Sequence, residues 1–88
     1  MNSPNMPTAR LSDLVNQLRG KLPRIDCDNA TNLIAHHELG VALELVCVQL
    51  IEHDVALTCE DIDSLEESAI ALGMVDSMAR WRTQFLTN

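Results

Sequence analysis

The sequence lacks tyrosine and contains one tryptophan and one phenylalanine among its 88 residues. Proteins that bind single-stranded nucleic acids stack bases on aromatic side chains, and this composition supplies no such platform. The sequence also has no glycine-rich phosphate loop, no GxSxG motif and no HExxH motif. We therefore expect a protein that is not an enzyme and that binds no cofactor.

Export and membrane signals are also missing from the sequence. The first seven residues have neither a basic start nor an apolar run, and the most apolar stretch, 41–51, is interrupted by Glu44 and Gln49. That stretch is too short to span a bilayer. Three cysteines without CxxC spacing indicate reduced thiols, and we expect a cytoplasmic protein.

The histidines do not form a recognisable metal motif. His36 and His37 are consecutive, so on a helix their side chains would point about 100° apart. His53 lies in a polar stretch at the end of a predicted helix, where it could interact with free carbonyl groups. We expect structural roles for all three histidines and no metal site.

Positive charge is absent from the middle of the chain. Residues 25–79 include twelve acidic residues and no lysine or arginine, and the formal net charge of the whole chain is −7. This charge argues against direct binding of nucleic acid and against anionic membrane surfaces. The six lysine and arginine residues, all outside that stretch, can neutralise only a few of its carboxylates.

The apolar residues recur with helical periodicity throughout the chain, and no segment alternates as a strand would. We predict one all-α domain over residues 1–88, a compact bundle of four to five short helices, with residues 1–7 flexible. Asp28 and Thr58 are expected as N-caps, and Gly20 and Gly73 as left-handed residues after helix ends. The predicted helices span about 8–19, 29–37, 39–53, 59–72 and 76–86.

The third predicted helix is apolar on most sides, which is typical of a central helix in a bundle. Its polar positions Glu44, Gln49 and Glu52 are expected to mark the exposed part. The residues expected in the core are Ala42, Leu43, Leu45, Val46, Cys47 and Leu50.

Acidic residues cluster from the end of the third helix through the fourth helix. They form either a solvated surface that maintains solubility or a docking surface for a basic partner. Glu44 could instead pair with an arginine of the first or last helix. The candidate partner-binding carboxylates are Glu38, Glu52, Asp54, Glu60, Asp61, Asp63, Glu66 and Glu67.

The stretch 37–55 resembles the core signature of the MafI-type immunity proteins, which are similar to the immunity partners of bacterial contact-dependent growth inhibition systems. The signature has a glutamate and a glycine, then Ala-Leu-Glu-Leu, a cysteine, a leucine and an acidic residue before an Asp-Val turn. The resemblance extends over about residues 33–74. The matching residues are Glu38, Gly40, Ala42, Leu43, Glu44, Leu45, Cys47, Leu50, Glu52 and Asp54.

The resemblance implies a cytoplasmic protein that binds the C-terminal catalytic domain of a cognate secreted toxin and blocks it. Toxins of such systems are commonly nucleases, and several are EndoU-like RNases that cleave tRNA. A nuclease needs a positive cleft for its phosphate substrate, which carboxylates could occupy. The alternatives are a helical adaptor or regulator that binds a basic protein, and a nucleic-acid mimic that inhibits an enzyme other than a toxin.

Overall fold

The computed structural model describes residues 6–87, which form five helices and no β-strand. The all-α prediction is therefore confirmed for this part of the chain. The predicted flexible segment 1–7 lies mostly outside the described residues, and its last two residues already belong to the first helix. The helices are α1 (Met6–Gln17), α2 (Arg24–Ala35), α3 (Leu39–Glu52), α4 (Cys59–Ala71) and α5 (Val75–Thr87).

One core lies between α1, α3 and the inner faces of the other helices. The four residues that the spacing predicts on the inner face of α1 are all buried, as are Leu65 on α4 and Trp81 on α5. The radius of gyration is 12.1 Å, close to the value of about 12 Å expected for a compact chain of this length. The buried residues of α1 are Leu11, Leu14, Val15 and Leu18.

The second helix begins five residues earlier than predicted. Pro23, at φ −54° and ψ 144°, occupies the N-cap position, and its ring both ends the preceding connection and presets the entry into α2. Asp28 is therefore not an N-cap but a residue inside α2, within 3.9 Å of Arg24 one turn earlier. The early start also explains why Cys27 lies in the core.

Residues with a left-handed backbone conformation follow the ends of α2, α3 and α4, and another lies in the connection after α1. Gly20 and Gly73 have φ values of +94° and +71°, which confirms the prediction for both glycines. His37 and Asp54 adopt the same conformation at +61° and +50° without the freedom of glycine. At the end of α3 the amide of Val55 donates to the carbonyl of Leu50 at 3.1 Å, so a Schellman turn closes the helix.

Helix α3 packs most extensively against α2 and also contacts α1 and α5. Its inner face is buried as predicted, except that Leu45 is only partly buried. Its opposite face is not covered: Val41 and Val48 are 50% and 43% exposed. The prediction of a central helix is thus correct for one face and wrong for the other, because no described helix packs on the outer side.

The end of α5 is only partly covered by the other helices. Met78 and Trp81 are buried and Phe85 is partly buried, but Leu86 is 62% exposed. None of the helices between residues 6 and 87 has the length and apolar character needed to cross a membrane.

Candidate functional site

Asp61 is the one candidate carboxylate that the structure buries, at 4% exposure. Thr58 is the N-cap of α4, as predicted, and Asp61 forms a capping box with it. The Asp61 amide donates to the Thr58 hydroxyl at 3.0 Å, and the Thr58 amide donates to the Asp61 carboxylate at 3.1 Å. Lys21 forms an ion pair with the same carboxylate, and the Gln17 side-chain amide donates to it at 2.8 Å. We call these four residues the Asp61 network. Asp61 therefore does not belong to the surface that a partner could reach.

The Asp61 network favours the ionised carboxylate. Burial alone would raise the pKa of Asp61, but the hydrogen bonds from Lys21, Gln17 and Thr58 outweigh it and lower that pKa to about 2. The network joins the end of α1 and the following connection to the start of α4. Its chemistry is that of a structural clamp, because no oxygen of this carboxylate is left for another protein.

Glu66 and Glu67 extend from α4 to two different neighbouring helices. Glu67 pairs with Arg10 of α1 at 3.2 Å, and Glu66 pairs with Arg82 of α5 at 3.1 Å. Both pairs are partly or largely exposed, so each contributes little to stability. They nevertheless reduce the negative charge that these two glutamates offer to a partner.

Glu60 and Asp63 are exposed on the outer side of α4. Neither has an ion pair or hydrogen-bond partner for its side chain within residues 6–87. They are three residues apart and hence neighbours on the helix surface. Glu60, Asp63 and Glu67 lie along one stripe of α4, at i, i+3 and i+7. The carboxylates of Glu60 and Asp63 have no partner in residues 6–87, whereas that of Glu67 is paired with Arg10.

Three further candidates, Glu38, Glu52 and Asp54, lie at the ends of α3. All are exposed, and the described part of the chain offers none of them a cation. Glu38 occupies the N-cap position without a capping hydrogen bond from its side chain. Glu52 and Asp54 lie at the C-terminal end, where the helix dipole disfavours negative charge, so neither position is explained by helix stability.

The cations of the chain are almost all engaged within it. Arg19 and Arg24 approach Asp28 at 3.8 and 3.9 Å, and Arg80 donates to the Ser77 hydroxyl at 3.3 Å. His53 lies 3.7 Å from Asp26. Eight carboxylates of residues 6–87 form no ion pair with a cation of the described chain: Asp13, Glu38, Glu44, Glu52, Asp54, Glu60, Asp63 and Asp76.

Glu44 is one of these eight, so the alternative pairing with an arginine of α1 or α5 does not occur in the structure. It lies beside two exposed valines that the sequence reasoning did not single out. Val41, Glu44, Val48 and Glu52 follow each other at i, i+3, i+7 and i+11 and are all exposed. We call this surface the α3 outer face. The helical spacing of these residues can be read from the sequence. Because apolar residues occur on both sides of α3, the sequence does not indicate which side the other helices cover.

Clefts border α4 on its α5 side and on its α1 side, and a further one beside Arg10 includes Ile70. The cleft against α5 has a volume of about 210 Å³, contains the exposed Ile70 and Val75, and is edged by the Glu66–Arg82 pair. The cleft against α1 is about 190 Å³ and polar, with Asp13 and Ser64 in its lining. Within the described residues, no three His, Cys, Asp or Glu side chains converge as metal ligands would.

Burial also separates the three cysteines. It raises the pKa of the Cys47 thiol to about 12 and also raises that of Cys27, whereas Cys59 is exposed at the start of α4. The buried thiols are therefore core side chains, as predicted for Cys47.

No protein-family model, curated protein or solved structure matches the chain. Function must therefore be argued from the charge and geometry of the surface itself.

Proposed function

We propose that this chain is an immunity protein that binds and neutralises a cognate secreted bacterial toxin with a nuclease domain. The observation that carries the proposal is the set of eight carboxylates that form no ion pair within residues 6–87. A nuclease presents a positive cleft to its phosphate substrate. Carboxylates in such a cleft would form charge-assisted hydrogen bonds with its lysine and arginine side chains.

The distribution of charge supports a protein partner more than it supports solubility alone. Solubility requires net charge, but it does not require that the charges of one sign be segregated along the chain. Here the stretch 25–79 lacks every lysine and arginine, and five of the six lysine and arginine residues elsewhere pair with Asp28, Asp61, Glu66 or Glu67. The remaining carboxylates would attract a basic protein to the chain and accelerate association. The resemblance to MafI-type immunity proteins points to the same class of partner.

The proposal is tested with the C-terminal domain of a secreted protein encoded beside this chain. The wild-type chain is expected to bind that domain in titration calorimetry, to abolish its nuclease activity in vitro, and to restore growth of cells that express it. A toxin domain from an unrelated system is the matched control, which the chain should not bind. Failure to bind or inhibit the adjacent domain would contradict the proposal.

A second candidate function is that of a non-catalytic helical adaptor for a basic protein. The cleft between α4 and α5 favours it, because Ile70 and Val75 are 67% and 56% exposed there and could accommodate a partner helix. An adaptor would bind its partner without inhibiting a catalytic domain. The activity assay described above therefore separates the two candidates.

A further inference from the structure

The α3 outer face combines two features that rarely occur together on a free helix. Val41 and Val48 are about half exposed, although α3 is the most apolar helix of the chain. Leu45 and Ile51 lie along the two edges of the face and are only partly buried. Since α3 is apolar on most sides and its outer face still includes two exposed valines, part of this face has the composition of a surface that another molecule covers.

The charges of the α3 outer face indicate what kind of molecule could cover it. Glu44 and Glu52 are exposed beside the valines, and neither has a cation within reach in the described chain. A second copy of the chain would bring its own glutamates against them, which is electrostatically unfavourable. A partner with lysine or arginine would instead supply the missing counter-charges.

We propose that the α3 outer face is the surface on which the basic toxin domain docks, an inference that rests on the proposed function. Val41 and Val48 are seven residues apart, which places them about 10 Å apart along the helix. The partner presents apolar side chains over the valines and lysine or arginine side chains to Glu44 and Glu52. Apolar and acidic side chains alternate along this face, so a partner would make both kinds of contact along one helix.

The carboxylates of α4 are less suited to this role, although they are more numerous. Asp61 is buried, and Glu66 and Glu67 are paired with Arg82 and Arg10. The exposed apolar residue Ile70 lies between those two pairs, in the linings of the clefts toward α5 and toward α1. A basic partner docking there would have to compete with cations that the chain already provides.

Affinity measurements with the adjacent toxin domain test the inference. The test variant is Glu44→Lys/Glu52→Lys, and Asp13→Lys/Asp76→Lys is the matched control with the same change in net charge on other exposed positions. We expect the test variant to weaken binding by about 100-fold or more, and the control by only a few-fold through long-range charge. Val41→Ser/Val48→Ser should weaken binding with no change in charge. Circular dichroism verifies the fold, and Glu44→Gln/Glu52→Gln replaces the reversal if that variant does not fold.

Other outcomes would overturn either the docking surface on α3 or the proposed function. Equal loss in the test and control variants, or loss only in Glu60→Lys/Asp63→Lys, would overturn docking on α3. So would a wild-type dimer that Val41→Ser/Val48→Ser dissociates. If the wild-type chain does not bind the toxin domain, the proposed function fails, and the docking inference fails with it.

Discussion

The carboxylate of Asp61 and those of Glu44 and Glu52 come from the same lysine-free stretch but occupy opposite environments. Asp61 is buried and satisfied by Lys21, Gln17 and Thr58, whereas the two glutamates on α3 are exposed with no cation nearby in residues 6–87. The first region uses charge to hold α4 to α1. The carboxylates of the second region form no ion pair within residues 6–87.

This difference shows how a strongly acidic composition is divided between folding and surface. A buried carboxylate must be paired, because an unpaired charge in the interior is costly. An exposed carboxylate has no such requirement. Its position therefore indicates function only where neither pairing within the chain nor helix stability accounts for it. Substitutions in the two regions should therefore affect different measurements.

The largest expected effect on stability is that of Asp61→Ala. The substitution removes the ion pair with Lys21, the hydrogen bond from Gln17 and half of the capping box. We expect the free energy of unfolding in urea to fall by about 3 kcal/mol. Asp63→Ala, on the exposed side of the same helix, should change it by less than about 0.5 kcal/mol. Similar losses in both variants would show that the Asp61 network is not the clamp described.

Acid should weaken the same clamp. Because the pKa of Asp61 is lowered from 3.8 to about 2, its contribution to stability is complete above the unfolded-state pKa. That contribution is lost as the pH falls through 3.8 toward 2. Between about pH 6 and about pH 2, the wild-type chain should lose about 2 kcal/mol more unfolding free energy than Asp61→Ala. Parallel pH profiles of the two proteins would contradict the pairing of Asp61.

A second buried polar group in α4 should behave in the opposite way. The Ser68 hydroxyl is buried without a hydrogen-bond partner in the described residues. Ser68→Ala should therefore raise the free energy of unfolding by about 1 kcal/mol. Ser64→Ala is the control, since it removes a 3.3 Å hydrogen bond to Gln17 and should lower stability slightly. A loss of stability in Ser68→Ala would mean that its hydroxyl has a partner.

The smallest expected effect is at the end of α3. Asp54 combines a left-handed backbone with a negative charge at a helix C-terminus. Asp54→Gly should raise the thermal midpoint, corresponding to about 0.5 kcal/mol. Gly73→Ala is the reciprocal control: a Cβ there meets no atom within 4 Å, so the loss of about 1 kcal/mol comes from the backbone alone. A lower midpoint for Asp54→Gly would indicate that the Asp54 side chain stabilises the fold.

Local chemistry explains which parts of the fold the sequence predicts well. The Thr58 cap, the inward residues of α1 and the two left-handed glycines depend on neighbours within a few positions. The start of α2 differs from the prediction, because Asp28 has the side chain of an N-cap but Pro23 occupies that position. A proline can end one element and begin the next, and its ring alone does not distinguish these roles.

The candidate site was harder to predict, because its members differ in tertiary contacts. Asp61 and Asp63 are both acidic residues near the start of one helix, and the approach of Lys21 and Gln17, 40 and 44 positions away, helps to separate them. The exposure of Val41 and Val48 likewise depends on which side of α3 the other helices occupy. Neither fact is encoded in the local pattern, although the lack of cations in residues 25–79 correctly indicated that many carboxylates would remain unpaired.

The central claim is that carboxylates without a counter-charge in this chain receive one from a basic toxin domain. Stopped-flow measurement of the association rate with that domain tests it most directly. Electrostatic steering between exposed charges is screened by salt, so the rate constant should fall at least about tenfold between about 10 mM and about 150 mM salt. A rate constant that does not change over this range would contradict the claim.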